Sequence, residues 1–234
     1  MDGFGKIAVG LRLTRPYPAF VHSLIMLLTS GLRPGDRYLL PSVDVPYACA
    51  CNMLVRQFLK GSCDSLLFMD DDHIFSADTL ERLRKTPDCE IAFPLVCVRR
   101  GAMLPMVLKD SEPGSELPVT TIANPSGVQS VDYVGLGFTL VKRETIEAVV
   151  KLLGTEDIFS FERNLGEDGG FCRDARLTGA RIAVNSDIIV GHLLTMAIAW
   201  DSAEMALNIS SVDVGRKPAV SVSVKTVETP KQEN

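Results

Sequence analysis

The 234-residue sequence contains no C-x-x-C pair among its six cysteines, no apolar run long enough to cross a bilayer, and no G-x-G-x-x-G or P-loop pattern. Each absence removes a class of protein. Without paired cysteines a zinc ribbon is not expected; Cys49, Cys51, Cys63, Cys89, Cys97 and Cys172, mostly inside apolar segments, read as reduced thiols of a cytoplasmic chain. The best membrane candidate, PAFVHSLIMLL, is too short and carries His22 and Ser23. The opening residues, MDGFGK, lack the charged-then-apolar layout of a secretory signal. Basic charge is also short. With 24 Lys and Arg against 29 Asp and Glu, the net charge of −5 gives no support to bulk electrostatic capture of a polyanion, although a local basic groove is compatible with it. There is no internal repeat.

What is present is an ordinary globular balance, 46% hydrophobic and 23% charged, in a length that fits one large domain with a substantial core. Its centre is SLLFMDDDHIF, Ser65 to Phe75. Leu66, Leu67, Phe68 and Met69 form an apolar run of strand length, the pattern of a parallel strand covered on both faces. The run stops at three consecutive carboxylates, Asp70, Asp71 and Asp72, which raise one another's pKa unless something positive sits beside them. In open α/β sheets the carboxyl ends of the strands form the ligand crevice. A hard divalent cation there relieves the repulsion and carries a phosphate-bearing substrate. The competing reading is that the aspartates cap the next helix; that helix, ADTLERLRK, already has Ser76 as N-cap candidate and Asp78 in its first turn.

Strand and helix signals alternate around this stretch, which predicts a parallel twisted sheet. Lys6–Leu13 reads as a buried strand, Ala19–Ser30 as a helix stopped by Gly31, and Asp36–Ser42 as a short strand closing on Asp44. Pro46 suits position N1 of a helix running to Lys60, on which Asn52 and Arg56 share a face. Cys89–Val96 is a fourth strand, with Pro94 marking an irregular or edge position. From Arg99 to Pro125 the pattern breaks into loops and short strands expected to lie over the crevice, where acceptor specificity commonly resides. Val131–Val134 and Phe138–Val141 are strands about a Gly135-Leu136-Gly137 turn, and Arg143–Leu153 is an amphipathic helix. Glu167 and Asp168 open a helix that points Phe171, Cys172 and Ala175 inward and stops at Gly179. Then follow a strand, RIAVN, the run Ile188–Val190, and Gly191-His192. LTMAIAWDSAEMALNI is expected to be a further amphipathic helix, and PAVSVSVKTV a strand that pairs at an edge or reaches a partner subunit in a homo-oligomer; the final TPKQEN is expected to fray.

Several side chains carry candidate chemistry. His192 follows a β-branched run and reads either as a structural histidine or as the neutral imidazole that completes a metal site begun by carboxylates. His22 and His73 read as structural. Glu167 and Asp168 either stabilise a helix N-terminus or include a base that takes a proton from an acceptor hydroxyl. Thr14, Arg15 and Asp44 lie at the expected carboxyl ends of the first two strands, where the crevice rule places ligand contacts.

In order along the chain, LLFMDDDHIF, VDYVGLGFTLVKRETIEAV, GEDGGFCRDARLTGARI and GHLLTMAIAW resemble the nucleotide-sugar glycosyltransferases of the GT-A fold, closest to small family-2-like enzymes of bacteriophages and bacteria. The likeness covers Lys6 to about Glu204. It implies an open, mostly parallel α/β sheet flanked by helices over residues 1–209, with a nucleotide-binding part to about 98, an acceptor and metal-completing part from 99, and a C-terminal extension over 210–234. It implies that Asp70 and Asp72 bind Mn²⁺ or Mg²⁺ and the donor ribose-diphosphate, with Asp71 between them, and that His192 is the third ligand. Asp168, beside Glu167, becomes the general base of an inverting transfer from a nucleoside-diphosphate sugar. Relatives often carry an Arg-Asn pair on the second helix; here Asn52 remains, the arginine is absent, and Arg56 one turn on stands in as donor contact. Acceptors suggested by phage relatives are a modified DNA base, a polysaccharide or a protein, and a phage-borne chain would work in the host cytoplasm. The rivals are a haloacid-dehalogenase-like phosphohydrolase with Asp70 as nucleophile and Asp72 as acid, a nucleotidyltransferase, and a non-catalytic nucleotide-sugar binder. The phosphohydrolase motif normally lies on the first strand, whereas about two strand–helix units precede it here.

Overall fold

A computed structural model describes residues 3–99, 104–111, 119–160 and 166–194, and the backbone of 196–201, 206–211 and 221–225. The first half alternates strand and helix: β1 (Ile7–Leu13), α1 (Pro18–Met26, continued by a π turn over Leu27–Gly31), β2 (Arg37–Tyr38), β3 (Ser42–Val43), α2 (Tyr47–Leu59), β4 (Ser65–Asp70), β5 (His73–Ile74), α3 (Thr79–Arg84) and β6 (Ile91–Leu95). Then come β7 (Val107–Asp110), β8 (Val119–Thr121), β9 (Val128–Val131), β10 (Tyr133–Val134), β11 (Phe138–Lys142), α4 (Arg143–Leu153), α5 (Gly166–Leu177), β12 (Ile182–Ile189) and β13 (Gly191–His192), and finally β14 (Met196–Asp201), β15 (Ala206–Ser211) and β16 (Ser221–Lys225).

The main sheet runs β2-β1-β4-β11-β6-β12-β9, with β3 also on β1. β1 is parallel to β2, β3 and β4, and β6 to β12, while β11 is antiparallel to both its neighbours and β9 to β12. This is the expected mostly parallel α/β sheet, with α2 against β1 and β4, α3 against β6 and β12, and α4 against β11. Leu66, Leu67, Phe68 and Met69 are all fully buried, as a continuous apolar run in a covered parallel strand requires. The amphipathic helix occupies Arg143–Leu153 as its spacing predicts, buries Ile146 and Val149, and is closed by Gly154 in the left-handed region at φ 69°.

The reversed direction of β11 shapes the molecule. After β6 the chain forms β7 and β8, adds β9 to the main sheet beside β12, completes the small antiparallel sheet β10-β7-β8, and re-enters the main sheet between β4 and β6 from the crevice side. The Gly135-Leu136-Gly137 turn is thereby laid against the carboxyl end of β4, where the Asp70 N–H donates to the Gly137 carbonyl at 2.8 Å.

Several expectations need correction. The second strand is split into β2 and β3 around Pro41, which has no N–H to contribute. Pro46 caps α2 rather than starting it, and the Ser76 hydroxyl bonds the side chains of Asp78 and Thr79 instead of capping α3. β6 is an interior strand; Pro94 is tolerated there because the β12 ladder shifts register between Asn185 and Ile189. The described residues of LTMAIAWDSAEMALNI are not helical. They form β14 and β15, which make an antiparallel sheet with β16. Met196, Ile198 and Trp200, then Leu207 and Ile209, recur at period two, and two sheet partners turn that alternation into strands. β15 runs across residue 209, from Ala206 to Ser211. The end expected to fray, and parts of the expected crevice loops (100–103 and 112–118), lie outside the described residues.

At the amino ends of the strands, the Arg84 and Asp36 side chains are both 1% exposed and pair through Nη2 and Oδ2 at 2.6 Å. Asp36 also accepts the backbone N–H groups of Ile7 and Arg33, and Arg84 donates to the Gly5 carbonyl, so the pair ties β1, β2 and α3 together. Removing one partner strands a buried charge. Asp36→Ala is expected to lower the free energy of unfolding by about 3–5 kcal/mol in urea titration, and Asp36→Leu combined with Arg84→Met to recover much of that loss.

Candidate active site

Alignment of the apolar runs of β1 and β4 in parallel register places Arg12 opposite Asp70. Arg12 Nε donates to Asp70 Oδ1 at 2.6 Å, Nη1 to Cys51 Sγ at 2.7 Å and Nη2 to the Leu136 carbonyl at 2.9 Å, while the guanidinium lies 3.8 Å from the Tyr47 ring centroid. The Tyr47 hydroxyl donates to the other Asp70 oxygen at 3.3 Å. Sequence reasoning singled out neither Arg12 nor Tyr47. The available signal was a lone charge inside KIAVGLRL, since an arginine in a covered strand needs a partner.

Beyond Asp70 the chain turns and β5 pairs antiparallel with β13, in a register that sets His73 opposite His192. The two rings stack at 4.7 Å between centroids and 11° between planes. Asp72 lies against both: its Oδ1 is 3.1 Å from His73 Nδ1 and its Oδ2 3.4 Å from His192 Nε2. Burial alone would raise the Asp72 carboxyl, but the imidazoles of His192 and His73 reverse this and hold it well below the usual carboxylate range. His192 Nδ1 donates to the Cys97 carbonyl at 2.9 Å, because a carbonyl can only accept, and this turns Nε2 toward Asp72. Asp72 Oδ1 and His73 Nδ1 are buried and make no aligned hydrogen bond. Asp72, His73 and His192 are the group able to hold a metal ion among the described residues, with ligand atoms within 4.8 Å of one another. Asp72 and His192 thus come together as the sequence suggested. His73 joins them where it had read as structural, and Asp70 is turned to Arg12 and Tyr47 instead.

The remaining expected site residues fall into two sets. Asp71 is buried and its Oδ2 accepts the backbone N–H groups of Thr14 at 2.6 Å and Arg15 at 2.8 Å, which fastens the loop after β1 to the end of β4. Burial raises its pKa against the lowering effect of those bonds. Asp44, in the left-handed region at φ 51°, donates its N–H to the Leu13 carbonyl at 3.0 Å. Asn52 exchanges both amide bonds with the backbone of Phe159, at 3.0 and 2.9 Å, and Arg56 pairs with Asp157. Those two residues brace the segment before α5 and line none of the cavities described next.

Three cavities meet at the strand ends. One of about 30 Å³, the size of an ion or a water, lies between Tyr47, Asp70, His73, Gly137 and His192. A Cβ at Gly137 would sit 2.6 Å from His73 Cε1 and 3.1 Å from Asp70 Oδ2, so only glycine lets this wall approach. A second, of about 260 Å³, is bounded by Arg12, Thr14, Tyr47, Asp70, Asp72 and Arg99. Arg99 Nη1 reaches Asp72 Oδ2 at 2.9 Å, a contact the sequence did not signal. The third, of about 340 Å³, has Asp168 on its wall, with Met106, Leu108, Tyr133 and Val134. Asp168 Oδ2 accepts the Leu136 N–H at 3.2 Å, and its buried Oδ1 has no partner. Burial, with the charge of Glu167 adding to it and Arg12 opposing, pushes the Asp168 carboxyl up to about 7. Glu167, in the first turn of α5, lines none of the three.

No protein-family model matches this sequence, and no curated protein matches it. Solved structures do. A197 from STIV matches with a TM-score of 0.55 at 15% identity over 98% of both chains. GalNAc-T7, solved with UDP, GalNAc and Mn²⁺, matches with a TM-score of 0.54 at 11% identity over 82% of this chain and 44% of its own, so the chain spans less than half of GalNAc-T7. At such identities the likeness is one of fold: this chain has the α/β architecture of a GT-A glycosyltransferase, with an Asp/His group able to hold a metal at its strand ends.

Proposed function

We propose that this protein is a metal-dependent glycosyltransferase that moves a sugar from a nucleoside-diphosphate donor to an acceptor hydroxyl, with inversion and with Asp168 as general base. The observation that carries the proposal is the convergence of Asp72, His73 and His192 at the end of β4, beside a cavity lined by two arginines. The buried Asp72 Oδ1 and His73 Nδ1, 3.1 Å apart without an aligned hydrogen bond, are an arrangement a cation would satisfy. Two imidazoles and one carboxylate suit Mn²⁺ better than Mg²⁺, which prefers an all-oxygen shell. The GalNAc-T7 structure, with UDP and Mn²⁺, supports the same assignment by fold.

When bound, the ion supplies Lewis-acid stabilisation of the charge that builds on the departing diphosphate. The protein's own residues do the rest. In the 260 Å³ cavity Arg12 and Arg99 are matched by Asp70 and Asp72, with Asp71 beside them, so phosphates would be held there together with the divalent ion. Asp71 holds the Thr14–Arg15 backbone that edges it. Asp168 accepts the acceptor proton through a carboxylate whose raised pKa makes it an effective base near neutrality. The phosphohydrolase reading needs Asp70 as a free nucleophile, and against it stand the bonds from Arg12 and Tyr47.

Melting curves with UDP, GDP, CDP and ADP, each with and without Mn²⁺, test the donor half. At least one diphosphate is expected to raise Tm in a Mn²⁺-dependent way. Asp72→Asn, His73→Ala and His192→Ala are each expected to weaken the Mn²⁺ response by at least about 10–100-fold. Gly137→Ala is expected to do the same through His73, although it removes no ligand atom. The absence of any diphosphate shift would reject the proposal, and hydrolysis of a generic phosphate ester would then favour the phosphohydrolase.

Asp168→Asn is expected to keep the diphosphate shift and lower kcat by about 10²–10⁴-fold. Because Asp168 must be ionised to act, kcat/KM should rise about tenfold per pH unit up to about 7 and level off above it. The folded chain favours the protonated form, so the residue's stabilising contribution is present at acid pH and is lost as pH rises toward about 7. The Tm of Asp168→Asn relative to wild type should therefore climb over that interval, a readout independent of turnover.

A further inference from the structure

The 340 Å³ cavity has a composition that the donor does not need. Its walls are Leu104, Met106, Leu108, Val134 and the ring of Tyr133, and Asp168 is the one charged residue among the described residues that line it. The polar end of Tyr133 is engaged elsewhere, with its hydroxyl donating to Asp110 Oδ1 at 2.8 Å. The nearby Arg176, 5.4 Å from the Tyr133 ring centroid, is held by Asp110 at 2.9 Å and Asp132 at 3.0 Å. Thr121 contributes a lone hydroxyl-bearing side chain at an exposed rim. Against this apolar lining, Asp168 Oδ1 is a buried acceptor without a donor.

We propose that this cavity is the acceptor site, and that the acceptor is an uncharged hydroxyl compound whose hydroxyl stands next to a compact apolar group, an aryl ring or a short alkyl chain. The proposal rests on the sugar-transfer reading for the word acceptor and on the cavity itself for the chemistry. A phosphate or carboxylate would face Asp168 with no cation among the described lining residues to offset it. A bare sugar would bring several hydroxyls to a lining whose described side chains offer partners only at Asp168 and at Thr121 on the rim. An aryl or alkyl group is desolvated at no such penalty, and the volume, at the small end of ligand cavities, admits one ring with a short substituent. Its hydroxyl is the donor that Asp168 Oδ1 lacks. In the transfer, the acceptor oxygen bonds to the anomeric carbon and its proton passes to Asp168. The bond from that carbon to the diphosphate breaks, and the electron pair leaves with the nucleoside diphosphate.

The test is binding of two fluorinated probes, a benzyl alcohol and a short alkanol, to the intact protein by fluorine NMR, with ring and chain told apart by which binds tighter. Transfer from nucleotide sugars to the same alcohols is followed by mass spectrometry. Thr121→Trp and Leu104→Trp, both at the exposed side of the cavity, fill it without disturbing the core. At least one probe should bind wild type, and both variants should weaken it by about tenfold or more and raise the acceptor KM to match, while the Mn²⁺-dependent diphosphate shift in Tm certifies a folded donor site. Failure of both probes to bind, equal binding to wild type and both variants, or displacement of the probe by free sugars, sugar phosphates or oligonucleotides in preference to other alcohols overturns the assignment. If the probes behave as expected but no diphosphate shifts Tm, the transferase reading falls and the apolar hydroxyl site stands.

Discussion

The arrangement depends on one buried cation. Arg12 sits inside the apolar part of the sheet because four different neighbours receive it: the Asp70 carboxylate, the Cys51 sulfur, the Leu136 carbonyl and the face of Tyr47. An arginine in such surroundings is destabilising unless its donors are met and its charge is paired. Meeting them joins β1, α2, β4 and the turn before β11, four pieces far apart in sequence, at the end of the sheet where ligands bind in open α/β folds. Burial also drives the Cys51 thiol up to about 12, so it remains a neutral acceptor and does not compete with Asp70 for the charge.

From that anchor the turn Gly135-Leu136-Gly137 becomes a shared wall. The Leu136 carbonyl accepts a hydrogen bond from Arg12 Nη2 while the Leu136 N–H donates to Asp168 Oδ2. The Gly137 carbonyl takes the Asp70 N–H, and the bare Gly137 Cα lets the His73 ring close in from the other side. Asp168 and the Asp/His group therefore lean on adjacent atoms of one short segment. That segment is in place because β11 enters the sheet antiparallel, so its start, rather than its end, faces the crevice.

How much of this could be read in advance follows from the range of the interactions. The apolar run of β4 and the spacing within α4 are local signals, and both elements appear where the residues indicate. Asp72 and His192 were legible because a carboxylate cluster after a strand and a histidine after a β-branched run are each local patterns. The place of His73 beside them was not, because it exists only in the register that sets His73 opposite His192. Arg12 likewise acquires meaning from Asp70, 58 positions away. Asn52 and Arg56 share a helix face as their spacing requires, yet that face meets the Phe159 backbone and Asp157, which no local pattern foretells. In the C-terminal region the alternation was present, and a helical reading of alanine-rich residues overrode it.

The triplet Asp70-Asp71-Asp72 shows how three adjacent like charges are made tolerable. Successive side chains in extended backbone point to opposite sides, and the turn that follows rotates the third away from both. Asp70, the last residue of β4, faces inward to a guanidinium. Asp71 faces the neighbouring loop and is bound by two peptide N–H groups. Asp72 faces the β5–β13 ribbon and two imidazoles. The first two find hydrogen-bond donors, one of them cationic, within the fold itself. The third is held by the His73 and His192 imidazoles, with Arg99 reaching it from the surface. The contacts of Asp70 and Asp71 lie within the fold and hold the strand end in shape, whereas Arg99 meets Asp72 from a half-exposed position that it shares with the Leu193 carbonyl.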